Sequence, residues 1–516
     1  MSGMKKVFVV LILVIMLAAL AAGLVWNITH YWMVDFRFYS KQAQSLDLRG
    51  QDISLSHYDK LHSRLPDCDI RWDIPFQGAV YPDDTTELTV TALSEEDVAA
   101  LGYFSALQKV DAQGCKDYPQ LLAAQDRYPE VNITFDVEIN GTGYRYDTKE
   151  INLTGITQEE IGLLPYLRQL STVVVSGGEQ MENLDQLQTY CHESGLDFFI
   201  SVNKEKIADD TKKVILKAPN DGELNLLQLL PDMNQLRLEN PKAAADAVIA
   251  LQDTYADAEV TWEQEICGKS FELGVEEVDL SDTTIETLDE VEQGMKYFPG
   301  TKQVFLGECG LDNEEIAAYR ERARADYKVV WIVRCGEKLP TRTDTTSFMP
   351  SRDGVGYIRD DATVNLRYCE DIIAVDVGHM GVKDVSFVEY MPNLKYLILA
   401  HTEVQDITPL STCKNLVFLE LDWSPVKDFT PLQGCTALED LNIGNTGADV
   451  TPIGKMTWLK NLWMIFRGGG SAWEMTQALP NTHVVASGNA TVSSGWRRLP
   501  NYYAMRDALN MYYMEW

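Results

Sequence analysis

Basic charge is what this chain lacks most. Its 44 Lys and Arg face 77 Asp and Glu, for a net charge of −33. The acidic residues are spread along the chain rather than gathered in a tail, as a solvated surface requires. Such a balance repels phosphate backbones and anionic headgroups, so nucleic acid is not an expected partner. Histidine is scarce, at 7 residues, and the 9 cysteines are widely spaced with no C-x-x-C pair. An odd, scattered set reads as buried thiols filling small slots, not as a disulfide frame. Also missing are a G-x-S-x-G elbow, a P-loop, an H-E-x-x-H helix and a dinucleotide-type glycine loop. The expectation is therefore no cofactor, no metal and no catalytic set.

What is present starts at the N-terminus. Lys5 and Lys6 are followed by Val7 to Trp26, 20 residues without a charge. At about 1.5 Å per residue such a helix spans the roughly 30 Å hydrocarbon core. Trp26, Tyr31 and Trp32 sit where interfacial aromatics belong, and the two lysines stay cytoplasmic. A cleaved signal peptide is the competing reading, because Ala19-Leu20-Ala21 offers a small-residue site. The apolar run nevertheless continues past it through Leu24, Val25 and Trp26. The expected product is a single-pass cell-membrane protein with its bulk extracytoplasmic, or a secreted one after cleavage.

Further along, NLKYLILAHTEVQDITPL (393–410) is followed by NLVFLELDWSPVKDFTPL (415–432). Aligned copies start at Leu394, Leu416, Leu438 and Leu459, spaced 22, 22 and 21 residues. Each opens L-x-x-L-x-L, as in Leu394/Leu397/Leu399 and Leu416/Leu419/Leu421, and a weaker copy holds Ile372, Val375 and Val377. Thr408-Pro409, Thr430-Pro431 and Thr451-Pro452 punctuate them. Thr is expected to cap a short helical turn there, with Pro at its first position. The alternation in YLILA predicts a short strand, Leu397 and Leu399 facing in and Tyr396, Ile398 and Ala400 facing out. No such unit buries its apolar side alone, so the units must stack.

This pattern resembles leucine-rich repeats, and its V-x-D-I-T-P-L turn is similar to the short class of bacterial internalin-like surface proteins. The resemblance covers residues 370–466. It implies an α/β solenoid that works by adhesion or partner capture. The first half carries a larger, fainter repeat: DDTTELTV (83–90), YDTKEINL (146–153) and DDTKKVIL (209–216) recur at 63 residues, and GVEEVDL (274–280) follows after 64. Trp72, Phe135, Phe198 and Trp262 keep the same register. Each unit reads as a hairpin turning at a pair such as Asn140-Gly141, plus two strand-helix turns with capping-box starts at Ser94-x-x-Asp97 and Thr157-x-x-Glu160. These are either enlarged, degenerate leucine-rich-repeat-like units in one array or a string of small α/β domains.

The expected organisation is an anchor over 1–26, a juxtamembrane linker over 27–45 and enlarged repeats over 46–335. A junction loop over 336–357, leucine-rich repeats over 358–466 and a C-terminal cap over 467–516 complete it. The Trp-, Tyr- and Met-rich tail is expected to cap the exposed edge of the last repeat; a partner-binding tail is the alternative. Outward strand positions of successive rungs define a concave ligand-binding candidate: Asp376, Tyr396, Ile398, Phe418, Glu420, Asp422, Asp440, Asn442 and Trp463, with Trp423 on the rim. Aromatic anchors beside charges are typical of binding patches, although a loop or the tail could instead cover them. A basic protein segment or a glycan suits that face. His379 and His401 fall on neighbouring rungs, near enough to share a metal with Glu403 or Asp376, but exposed strand-end histidines are the commoner case. An envelope hydrolase with its site in the first half, or a structural scaffold, are the other functional readings.

Overall fold

Gly3–His30 is one helix, and within it Phe8–Asn27 has a mean hydropathy of 3.1, enough by length and composition to cross a membrane. A signal sequence passes the same test. The computed structural model describes residues 3–177, 183–336, 339–351, 356–465, 469–488 and 494–511. Parts of the expected junction (337–338, 352–355), the boundary at 466–468 and parts of the tail (489–493, 512–516) lie outside the described residues. The chain divides into two units, residues 1–236 with 257–259, and residues 237–256 with 260–516.

In the first unit the expected linker at 27–45 is corrected. The helix runs to His30 and leads into a hairpin, Tyr31–Val34 against Arg37–Ser40, turning through Asp35 and Phe36. Burial of Val34 and Tyr39 holds this hairpin to the unit, while Met33 and Phe38, a cross-strand pair, and Phe36 remain exposed. Beyond it, parallel ladders alternate with hairpins. Glu87–Thr89, Lys109–Asp111 and Asn132–Thr134 form one ladder, and Glu150–Leu153, Thr172–Ser176 and Asp197–Val202 another. Hairpins join Asp73–Phe76 to Ala79–Pro82, Asp136–Ile139 to Thr142–Arg145, and Asp197–Val202 to Glu205–Ala208.

Their turns at Gln77-Gly78, Asn140-Gly141 and Asn203-Lys204 place both central residues at positive φ, as two-residue hairpins with right-handed twist require. Trp72, Phe135 and Phe198 are buried at equivalent places. The Thr157 capping box forms as expected, and its Glu160 also accepts the Asn140 backbone N–H at 2.7 Å. Glu223, closing the Asn220 box, accepts Asn203 N–H at 2.9 Å in the same way. One carboxylate thus ties each helix start to the preceding hairpin turn, a physical reason for so strict a spacing. Glu160→Ala is expected to cost about 1–3 kcal/mol locally, since it removes a cap and leaves a turn N–H unpaired. Faster amide exchange across Asp136–Arg145 is the check; unchanged exchange would refute the tie.

In the second unit a hairpin pairs Glu263 with Glu272 through Ile266 with Lys269. A ladder of Glu277–Asp279, Gln303–Phe305 and Lys328–Val330 follows, then a hairpin of Ile332–Arg334 and Pro340–Arg342. Seven short parallel strands then stack in one sheet: Ser347–Phe348, Ala374–Asp376, Tyr396–Ile398, Phe418–Glu420, Asp440–Asn442, Asn461–Trp463 and His483–Val485. The expected junction loop therefore already contains the first of these strands. Single 3₁₀ turns, such as Thr408–Thr412 and Thr430–Gly434, line the opposite side.

Aspartate, not threonine, makes the side-chain bond that leads into those turns. Asp406, Asp428 and Asp449 accept the N–H of Thr408, Thr430 and Thr451 at 2.8, 2.8 and 3.0 Å. The proline that follows has no N–H to offer, so the side chain two residues ahead captures the one remaining nearby donor. All nine cysteines are free thiols. Cys413 and Cys435 take equivalent buried places, their thiols facing the carbonyls of Val388 and Leu410, and burial pushes Cys435 up to about 12.

The tail does not lie where the edge-capping expectation put it. Helix Gly469–Ala478 and strand His483–Val485 add one more rung. After Gly495, at φ 96°, the 3₁₀ turn Trp496–Arg498 and helix Pro500–Ala508 pack onto the outward strand face instead.

Candidate binding surface

Strand register sorts the side chains into rows. Val375, Leu397, Leu419, Leu441 and Leu462 pair rung to rung and are fully buried inside. Outward lie two further rows, Ala374–Tyr396–Phe418–Asp440–Asn461 and Asp376–Ile398–Glu420–Asn442–Trp463. A 22-residue unit with its leucines stacked inside and one parallel strand per turn has one reading. Residues 347–485 form a leucine-rich-repeat solenoid.

Solved structures that the chain resembles are leucine-rich-repeat proteins. An internalin C2 from Listeria monocytogenes shares 22% identity over 25% of this chain and 66% of its own, with a TM-score of 0.21. A second internalin from Listeria monocytogenes shares 12% over 80% of this chain and 91% of its own, with a TM-score of 0.22. A leucine-rich-repeat protein from Leptospira interrogans shares 10% over 86% and 90%, with a TM-score of 0.18. At these scores the likenesses add nothing to the repeat geometry itself. No family model and no curated protein matches the chain.

The outward rows lie together on one face, but most of them are not open. Phe418 and Asn442 are 0% exposed, Asp440 1% and Trp463 2%; Ile398, Glu420 and Asp422 are also buried. Only Asp376 and Tyr396 stay half-buried, and Trp423 is 56% exposed. The cover is the chain's own C-terminal segment. Trp496 stacks on Phe418 at 4.7 Å and packs against Trp463 at 5.4 Å, while Tyr502 meets Phe418 at 6.2 Å. The Trp463 indole donates to Ser494 Oγ at 2.9 Å. Met505 and Leu509 complete a second apolar cluster on this side. Aromatic side chains left bare on the outward rows would be costly, and an aromatic tail is at hand to bury them.

Carboxylates trapped beneath the cover are perturbed. Burial pushes Glu420 up to about 7; the Trp496 indole and Arg497 oppose this, and the nearby Asp422 and Asp376 add to it. Burial likewise raises Asp376 to about 6, against the Gly378 N–H, His379 and Arg497. Asp440 is raised as well, again by burial, although Asn461 donates to it. Two buried polar atoms here have no hydrogen bond of standard geometry: Asp440 Oδ2 and Asn442 Nδ2.

A second surface was only half visible in the pattern. His379, His401, Trp423 and Asn445 occupy the same place on four successive rungs, just past the strand, all at positive φ. Each donates its N–H to a strand-end carbonyl of the following rung, at 2.8, 2.8, 3.0 and 3.0 Å, which is what imposes the left-handed backbone. Asn tolerates that region and His does so moderately; Trp is an outlier there. The rings form a column, His379 on His401 at 4.5 Å and His401 on Trp423 at 5.8 Å, both pairs at 15°. Gly444 is required beside it, since a Cβ would lie 2.4 Å from Asp422 Oδ1. Trp423 also walls an open groove of about 470 Å³ that runs along Pro425, Lys427, Asn445 and Gly447.

The shared metal fits less well: the His379 and His401 rings lie face to face, Glu403 pairs with Lys383 at 3.3 Å, and no metal-holding group occurs among the described residues. Within residues 246–327 a cavity of about 500 Å³ is lined by Glu292, Arg322, Tyr319 and Tyr327. Glu292 is ion-paired to Arg322 at 3.2 Å, and the Tyr319 and Tyr327 hydroxyls hydrogen-bond to each other. The carboxylates raised by burial lie instead on Asp376, Glu420 and Asp440.

Proposed function

We propose that this protein is a membrane-anchored, extracytoplasmic leucine-rich-repeat binding protein that captures a protein or a cell-envelope glycan. Of the ten residues expected to contact a ligand, Trp423 carries this reading. A large indole, held half-exposed at a backbone position that Asn would fill at lower cost, is a poor device for stability alone. With His401 and His379 it presents a flat ring column, and the adjoining groove supplies the Lys427 amine and Asn445 amide. Such a platform suits the apolar face of a sugar ring or a planar or proline-type side chain. Anchoring is supported by the apolar Phe8–Asn27 helix and by Met33, Phe36 and Phe38, exposed on the hairpin that directly follows it.

Trp423→Asn tests the surface without straining the backbone. The variant should keep its thermal midpoint, and co-sedimentation with purified peptidoglycan, or capture of a purified envelope protein, should weaken at least tenfold. Capture that persists unchanged in both assays removes Trp423 from the contact surface.

A further inference from the structure

We propose that the covered strand face is a docking groove for a basic, aromatic amphipathic helix of a partner protein, and that residues 494–511 of this chain are a displaceable stand-in for it. The inference is separate from the Trp423 surface and survives its loss.

Three observations carry it. First, the seated segment reads as a ligand: Trp496, Tyr502, Met505 and Leu509 form its apolar side, with the last three at helical spacing. This is the i, i+3, i+7 pattern by which helices bind grooves. Second, the charges are complementary. The floor offers Asp376, Glu420, Asp422 and Asp440, and Arg497 of the cover acts electrostatically on Asp376 and Glu420, offsetting part of the cost of burying them. A chain so acidic overall carries Arg497 on the piece that meets these carboxylates.

Third, the fit is incomplete. Asn442 Nδ2 belongs to a fully buried side chain and makes no hydrogen bond, and the equally buried Asp440 Oδ2 has none of ordinary length. The Asn501 amide of the cover donates to Glu439 at 3.2 Å and reaches Asp440 only at longer range. Buried groups left unpaired penalise the covered state, and native interfaces rarely keep them without cause. A helix that kept the aromatic face and the arginine, and added a longer amide-bearing side chain opposite Asp440 and Asn442, would satisfy both atoms at once. Such a helix is the occupant this groove is shaped for. The tethered segment competes at an effective concentration of about a millimolar, so it shields the face until the better-matched helix arrives.

The test uses the full chain in detergent and a fluorescent synthetic peptide spanning Ser494 to Met511. Wild-type protein should bind it weakly, because the tethered copy holds the face. Protein carrying Trp496→Ala should bind it at least tenfold more tightly. A peptide with Arg497→Glu should lose at least tenfold again. Equal binding by the charge-reversed peptide would overturn the basic partner, and no binding to the Trp496→Ala protein would overturn the groove. Should that variant fail to fold, amide exchange on wild-type protein decides. Tyr502 and Leu509 exchanging well before Leu419 and Leu441 supports a displaceable cover; exchange of all four together overturns it.

Discussion

Trp496→Ala is expected to free residues 494–511 from the strand face while the stacked rungs stay folded. Trp496 is wholly buried between Phe418 and Trp463, so its removal leaves a large void at the centre of the second cluster. Truncations of this kind cost about 3–5 kcal/mol. The other buried apolar anchors of the cover are Tyr502, Met505 and Leu509, with Leu499, Ala508 and Met511 partly buried beside them, and a loss of that size at their centre is expected to open it. Amides of Tyr502 and Leu509 should then exchange at least about a hundredfold faster, at roughly 1.4 kcal/mol per factor of ten. Leu397, Leu419 and Leu441 lie on the inner row and touch a different core; their exchange should hold. If the inner row accelerates in step, the tail is part of the solenoid's own stability and not a cover laid over it.

Acidity should tighten the same cover. Glu420 rises from its ordinary 4.5 to about 7 when covered, because burial penalises its charged form. The covered state therefore binds more protons than the open one between those values. Its stabilisation is fully present below about pH 4.5 and is lost as pH climbs through 7. Asp376 acts in the same sense over a lower window, from its ordinary 3.8 to about 6. The groups acting on Glu420 are Asp422 on its own rung, Asp376 two rungs away, and Trp496, Arg497 and Tyr502 from the cover. Glu420→Gln keeps the shape and removes the titration. It should stabilise the covered state at pH 8 by about 1–3 kcal/mol, since each tenfold change in proton affinity is worth about 1.36 kcal/mol. The slope between pH 5 and 7 should flatten with it. Exchange of the Tyr502 and Leu509 amides against pH reads this directly. Parallel slopes for wild type and variant would show that another group governs the opening.

Much of the fold was legible because it is local. The L-x-x-L-x-L spacing alone places Leu397, Leu419 and Leu441 inside, since a two-residue alternation on a short strand admits one buried side. The Asn140-Gly141 turn and the Thr157–Glu160 box were readable for the same reason: each is decided within four residues. Where a side-chain bond depends on which donor remains free, the reading slipped, and Asp406 supplies the bond expected of Thr408. Linker residues 31–40 proved to be a hairpin because Val34 and Tyr39 find burial that no ten-residue window reveals.

The candidate surface divides along the same line. Repetition by itself determined the register, the inner leucines and the outward rows holding Phe418, Glu420, Asp440 and Trp463, because stacking at one interval leaves those side chains a single direction to point. Only the tertiary structure decided which outward positions meet water. That depends on a segment from beyond the last rung folding back to bury Phe418 and Trp463, a gain in apolar contact set by distance in space and not by periodicity. Trp423, one turn past its strand and out of that segment's reach, was left open.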